Sequence, residues 1–316
     1  MTFEIIIAII ALIVGIVILT LSSDKAVEYT VKIASGWGVS PLMIGLVLVS
    51  IGTDLPEIVN SIVSSLLGHG NINVGDSLGS AFTQISLVLG LIPFLARGFK
   101  VKRKDVVVIG ACEVLALMFA VSIAEKGYIS RINALFLVVS WVILMLITRS
   151  LMTRKVKEKE QVETSNGERH RYHFVVAGLG FTGVAIGAFI VIESVITLST
   201  AFNVSEYIIS FFVVAIGTSL PELVVDTMAV RKKQYKLAIG DIIGSCIVDA
   251  GLSIGIGPLF FPIEVDGVLA STTGLYAIFA SSVIISLLAL REKVDRKIGA
   301  LFIALYLFSY ATLNVI

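Results

Sequence analysis

Ten stretches of this chain are long and apolar enough to cross a lipid bilayer. They fall at about 4–22, 39–66, 74–96, 105–124, 131–149, 173–198, 204–230, 237–260, 268–289 and 297–315. A helix needs roughly 20 mostly apolar residues to span the hydrocarbon. Spanning β-strands would be shorter and would alternate in polarity. Composition agrees: 57% of the 316 residues are hydrophobic and 15% charged, against about 25% charged in a soluble domain. A lone soluble enzyme, a nucleic-acid binder and a disordered chain are thereby excluded. The first stretch lacks a basic leader and a small-residue cleavage site, so it is read as a span and not a signal peptide. Cys112 and Cys246 both lie in apolar stretches and suggest no disulfide framework.

The basic residues set the expected orientation. Of 24 Lys and Arg, 22 fall in the segments after spans 1, 3, 5, 7 and 9, beginning with Lys25 and Lys32. Only Lys126 and Arg131 fall on the other side. Cytoplasmic loops carry the Lys/Arg excess. A multi-pass cell-membrane protein is expected, with both termini outside and the 150–171 loop in the cytoplasm.

The chain also repeats itself at an offset of 165. Val39-Ser40 recurs as Val204-Ser205. Gly52-Thr53-Asp54-Leu55-Pro56-Glu57 recurs as Gly217-Thr218-Ser219-Leu220-Pro221-Glu222. Gly75-Asp76 and Gly79-Ser80 recur as Gly240-Asp241 and Gly244-Ser245. Each half holds five spans, an odd number, so the second copy must enter the membrane upside down. The expected fold is an all-α polytopic membrane protein, ten transmembrane helices as two inverted five-helix repeats. Residues 1–149 form the first repeat, 150–171 the linker and 172–316 the second repeat. Secondary transporters are commonly built this way, with the substrate site near the midplane at the repeat interface.

Carboxylates inside a span are costly and usually functional. Here they occupy the repeated motifs: Asp54, Glu57 and Asp76 in the first half, Glu222, Asp241 and Asp249 in the second. No Lys or Arg lies at comparable depth, so these groups must bind cations, protons or both. Pro56 and Pro221 lack an N–H and free the carbonyls of Gly52 and Gly217, beside those of Thr53 and Thr218. Asp76, Ser80 and Gln84 share one helix face by their i, i+4, i+8 spacing, as do Asp241, Ser245 and Asp249. Gly75, Gly79, Gly240 and Gly244 allow close packing on spans 2 and 7. Oxygen-only ligands suit hard cations such as Ca²⁺ and argue against zinc or copper. Asp226, whose counterpart is Ser61, is a weaker candidate, as are the isolated Glu113 and Glu193. His69, His170 and His173 are expected in solvated loops.

These motifs resemble the cation/calcium exchanger superfamily, specifically the prokaryotic sodium/calcium exchangers, whose two repeats carry G-T-S-L-P-E followed by G-[ND]-x-x-G-S. The resemblance implies that Glu57 and Glu222, with the carbonyls of Thr53 and Thr218, hold Ca²⁺. It implies that Ser80, Ser219, Ser245 and Asp249 contribute to flanking Na⁺ sites, and that spans 1 and 6 slide across the remainder. Asp54 departs from the pattern, standing where the first repeat has Ser. Gln84, opposite Asp249, stands where Asn is common. With the extra acid, either more cation charge is bound or one carboxyl keeps a proton.

The expected activity is export of Ca²⁺ in exchange for Na⁺ by alternating access, electrogenic as the resemblance implies, with H⁺ or another divalent cation as the alternatives in coupling and cargo. No catalytic residue, cofactor, nucleic acid or obligate protein partner is expected, only ions and the lipid bilayer. An intramembrane aspartyl protease needs two carboxyls as an acid/base pair, but gives the duplicated Pro-Glu motif no role. A channel would show uncoupled, unsaturable flux.

Overall fold

A computed structural model describes residues 2–36, 50–152 and 168–313. The expected Val39-Ser40 repeat, the start of span 2 at 39–49 and the linker segment 153–167 lie outside these residues, as does the end of span 10 beyond 313.

The described residues are helical with four short strands. In order these are α1 (Thr2–Gly36), α2 (Ser50–Thr53), α3 (Leu55–Leu66), α4 (Gly70–Thr83), α5 (Leu89–Leu95), β1 (Phe99–Lys100), α6 (Arg103–Ala124), β2 (Tyr128–Ile129) and α7 (Arg131–Met152). After the linker come α8 (Glu168–Phe202), α9 (Glu206–Ile209), α10 (Ala215–Thr218), α11 (Leu220–Arg231), α12 (Tyr235–Val248), α13 (Ile254–Phe260), β3 (Ile263–Glu264), α14 (Gly267–Arg291), β4 (Lys293–Val294) and α15 (Arg296–Leu313). Three π-turns, Gln84–Val88, Ser210–Val214 and Asp249–Ser253, join α4 to α5, α9 to α10 and α12 to α13. Eight helical segments among the described residues are long and apolar enough to cross a bilayer.

Burial sorts these helices by position. In the apolar 18-residue stretches within Gly70–Leu95 and Ala238–Phe260, 78% and 89% of residues are buried, against 28% and 39% within Phe3–Thr30 and Tyr172–Phe202. The central pair carries the polar faces, so its side chains need protein on every side. The outer pair shows large apolar side chains such as Ile10, Ile13, Leu21, Val175 and Leu179, which suit lipid and not water.

α1 and α8 are 35 residues each, about 52 Å at 1.5 Å per residue, longer than the roughly 30 Å hydrocarbon layer. α1 therefore runs past the expected end of span 1. Lys25 and Lys32, expected in a loop, sit on this helix and bind Glu28. His170 and His173 lie on α8, and His173 is buried edge-on against Tyr29. The loop expectation fails for both because α8 begins at Glu168, ahead of them. The two helices run antiparallel: Gly180 meets Ala26, Gly183 meets Ser22 and Gly187 meets Leu19. Glycine is required there by backbone approach, since a Cβ on Gly187 would lie 2.7 Å from the Leu19 nitrogen.

Packing across the halves is reciprocal. Gly15 meets Val191, and Gly180 meets Ala26, which are the same two positions exchanged by the offset of 165. Likewise Gly90 meets the Gly299 carbonyl, and Gly255 meets that of Ala134. The strands obey the same exchange. β1 pairs antiparallel with β4, and β2 with β3. β1 and β2 flank α6, while β3 and β4 flank α14. Hence these two helices, equivalent by the offset, lie in opposite directions with a ribbon at each end. Helix starts match as well: Ser130 accepts from the Asn133 N–H before α7, and Asp295 from those of Lys297 and Ile298 before α15. Those backbone donors, with the Lys293 ammonium, hold the Asp295 carboxyl below its ordinary range.

Candidate functional site

Each half breaks a helix at the same place. Asp54 separates α2 from α3 and Ser219 separates α10 from α11, with φ/ψ of −84°/8° and −82°/4°. Pro56 and Pro221 follow in the first turn of α3 and α11, and each deprives the carbonyl four residues back of its N–H. The freed Gly52 carbonyl does not stay open to the site, as the sequence suggests. It accepts a hydrogen bond from the Ser23 hydroxyl of α1 at 3.3 Å. The matching residue of α8 is Ala188, which has no hydroxyl. α1 lies across both breaks: a Cβ on Gly52 would come 2.6 Å from Val27, and one on Gly217 2.6 Å from Ile16.

Glu57 and Glu222 are one turn beyond the breaks and fully buried. One hydrogen-bonded network crosses the repeats. Ser80 donates to Glu57 Oε1 at 3.3 Å and lies 3.1 Å from the Thr218 hydroxyl. Thr218 lies within 3.2 Å of Asp76 Oδ1, and Asn60 donates to Asp76 Oδ2 at 2.6 Å. On the other side Ser253 reaches Asp249 Oδ1 at 3.5 Å.

The remaining carboxyl oxygens have no donor. Glu57 Oε2, Asp249 Oδ2 and both oxygens of Asp54, Glu222 and Asp226 are buried without a hydrogen-bond partner. Their electrostatic neighbours are one another. Glu222 faces Glu57, then Asp54 and Asp249. Asp249 faces Glu57, Asp54 and Asp76. Asp54 faces Asp241, with Ser245 and Gln84 alongside. No lysine or arginine stands among these neighbours. Removing an ion from water costs several kcal/mol even after relaxation, so this array requires cations or protons.

All twelve residues singled out by the sequence fall in or beside this cluster. Asp54, Glu57, Asp76, Ser80, Gln84, Thr218, Ser219, Glu222, Ser245 and Asp249 are buried. Thr53 and Asp241 are half-buried at its edge. Gln84 opens one π-turn and Asp249 the equivalent one, and a π-turn inserts an extra residue that often marks a functional position. Cys246 donates toward Gln84 Oε1 at 3.7 Å. Among the described residues, no three His, Cys, Asp or Glu side chains form a preformed metal cage. The oxygens come as carboxyls with the hydroxyls of Ser80, Thr218 and Ser253 against them.

The sequence reading missed four contributors: Asn60, Ser253, Ser23 and the close approach of Asp226 to Asp241. Asn60 was detectable, since it shares a face with Glu57 at i+3 in an apolar span. Elsewhere the weaker candidates separate. Glu193 is exposed on α8. Glu113 is buried between α6 and α14 with Ser281 at 2.7 Å. His69 is half-buried, 3.0 Å from Glu206.

Comparison with known proteins follows this geometry. Residues 7–149 and 172–314 match the model of the sodium/calcium exchanger protein family, one match on each half. An uncharacterized membrane protein of Methanocaldococcus jannaschii is 30% identical over 95% of this chain and 96% of its own. The sodium/calcium exchanger MaX1 of Methanosarcina acetivorans is 27% identical over 93% and 95%. The solved sodium-calcium exchanger NCX_Mj, soaked with 10 mM Na⁺ and no Ca²⁺, superimposes with a TM-score of 0.62. It is 29% identical, covering 98% of this chain and 99% of that one. Family matches on both halves, full-length relatives and a shared fold agree with the buried oxygen cluster: the chain belongs to the sodium/calcium exchanger family.

Proposed function

We propose that the protein exports Ca²⁺ in exchange for Na⁺ by alternating access, as a secondary antiporter and not a catalyst. The observation that carries this is the pair of Pro-Glu helices, whose Glu57 and Glu222 face each other in the core with unpaired oxygens. Two carboxylates and the carbonyls of Thr53 and Thr218 suit Ca²⁺, which takes 6–8 oxygen ligands. Ser80 with Thr218 on one side, and Ser245 with Asp54 on the other, flank that pair as Na⁺ positions. Ser219, Gln84, Asp249, Asp76 and Asp241 complete the polar lining. Na⁺ and Ca²⁺ compete for the same carboxylates, which couples their movements, and the resemblance to the exchangers adds that the exchange is electrogenic. An open lining of carboxyl pairs, with no closed cage, suits an ion that must leave again. The relatives named sodium/calcium exchanger support the same cargo.

The architecture in this reading is ten helices in two inverted five-helix repeats, 1–149 and 172–316, joined by a cytoplasmic 150–171 linker, with both termini outside. Reciprocal packing and opposed α6 and α14 support it, as does the basic bias of one side. α1 and α8, which pack along each other and turn large apolar side chains outward, slide over the rest. Orientation has a direct test. Cys112 and Cys246 are buried and inert to an impermeant maleimide. In intact cells Lys126→Cys should label from outside and Lys157→Cys should not; the opposite pattern inverts the topology.

Transport itself is tested in proteoliposomes. A Na⁺ gradient should drive Ca²⁺ flux, and a pH gradient alone should not. Flux driven by pH and indifferent to Na⁺ makes the protein a H⁺/Ca²⁺ exchanger instead. Asp54 is the residue that favours weighing this second reading, because it adds an acid where the second repeat has Ser219. Asp54→Ser should alter the Na⁺ dependence of flux. Identical curves for the variant and the parent would remove Asp54 from coupling.

A further inference from the structure

The two flanks of the Glu57–Glu222 pair differ in charge. By the offset of 165, Asp54 corresponds to Ser219, Asp226 to Ser61 and Asp241 to Asp76. One flank therefore has three carboxyls where its mirror has one. The fold brings two of them together, with the third behind. Asp226 meets Asp241 at hydrogen-bonding range and faces Asp54 next. Asp241 is also the first charged neighbour of Asp54.

Structural roles do not account for Asp226. Its counterpart Ser61 accepts the Gly257 N–H at 3.2 Å. Asp76, the counterpart of Asp241, is bonded by Asn60 and Thr218. Asp226 is fully buried, and neither of its oxygens has a donor. The adjoining Thr227 hydroxyl is likewise buried and unpartnered.

Depth separates this group from the central pair. Asp226 lies five residues before Arg231, and Asp241 six after Tyr235, about 8–9 Å of helix rise from the basic turn between them. Glu222 and Asp249 lie about 14 and 21 Å along the same helices. Of the three carboxyls only Asp241 is partly exposed.

We propose that Asp226 and Asp241, with Asp54 behind them, form a second divalent-cation site between the Arg231–Lys236 turn and the Glu57–Glu222 pair. This rests on reading that pair as the transport site. A buried, donor-free Asp226 facing the Asp241 carboxyl offers oxygen ligands to a hard cation. Two facing carboxyls with the Asp54 charge close behind favour a doubly charged ion, since attraction scales with the ion's charge. Asp54 borders both positions, so an ion waiting here can be handed inward without crossing an apolar gap.

The test is equilibrium binding of radioactive Ca²⁺ to the purified full-length protein in Na⁺-free buffer. The wild type should bind two ions per chain, and Asp226→Ser and Glu222→Gln one each. Asp226→Ser installs the residue that already folds in the equivalent position, and a single symmetric elution peak checks it. If that variant does not purify, Asp241→Asn carries the same expectation. One ion in the wild type, or two in the Asp226 variant, overturns the second site. Two ions retained in Glu222→Gln instead overturns the central site, so the two failures are distinguishable.

Discussion

Glu222→Gln is expected to reduce Ca²⁺ flux to that of protein-free vesicles, and Glu57→Gln to do the same. The change is isosteric, so the cavity keeps its shape. It removes one negative charge and turns an oxygen ligand into an N–H₂ donor aimed at the cation. Both carboxyls are fully buried, where charge is poorly screened and each loss counts for more than in water. A loss of about 4 kcal/mol in ion binding is already a thousandfold in affinity. The fold should not suffer, because an amide relieves the crowding of Glu57, Asp54 and Asp249 around Glu222. Hence the melting midpoint in ion-free buffer should hold or rise, while the stabilisation by Ca²⁺, which follows mass action on the native state, should fall to what the Asp226–Asp241 site alone supplies. Wild-type flux in either variant would remove these residues from the site.

Gly187→Leu is expected to lower flux at least tenfold while leaving Ca²⁺ binding in place. The first added carbon would lie 2.7 Å from the Leu19 nitrogen and 2.8 Å from its Cα. Backbone cannot move aside as a side-chain tip can, so α1 and α8 must separate along their seam. Overpacking of this kind typically costs 1–3 kcal/mol. The site carboxyls stand on neither α1 nor α8, so the Ca²⁺-induced rise in melting midpoint should persist. Normal flux, or loss of that rise together with flux, would contradict the view that this helix pair moves over a fixed site.

Much of this was legible in the residues. The apolar runs and the 165-residue offset locate the helices and both breaks, because membrane spans and proline chemistry are local. The twelve polar candidates converge because each pair occupies one helix face. Three things were not legible. The π-turns at Gln84–Val88 and Asp249–Ser253 leave no mark in a 3.6-residue pattern. Ser23 reaches Gly52 from 29 residues away, a tertiary contact that spacing does not encode. Asp226 was discounted for lacking an acidic twin, yet it joins Asp241 across two helices. Symmetry is a good guide to the shared core and a poor one to what only one half carries. The helical placement of His173 shows the opposite error, since a polar side chain near a linker packed against Tyr29.

The exchanged ribbons also bear on how such a chain is made. β1 and β2 belong to the first half, but their partners β4 and β3 are the last strands to be synthesised. While the first half waits in the membrane, both ends of α6 are unclamped. Asp76 then lacks Thr218, and Gly90 lacks the helix it packs on. Side-by-side completion of each half in turn is therefore ruled out by the pairing itself. Assembly closes only when residues 293–294 reach β1, so a truncated product betrays itself by buried acids left facing lipid.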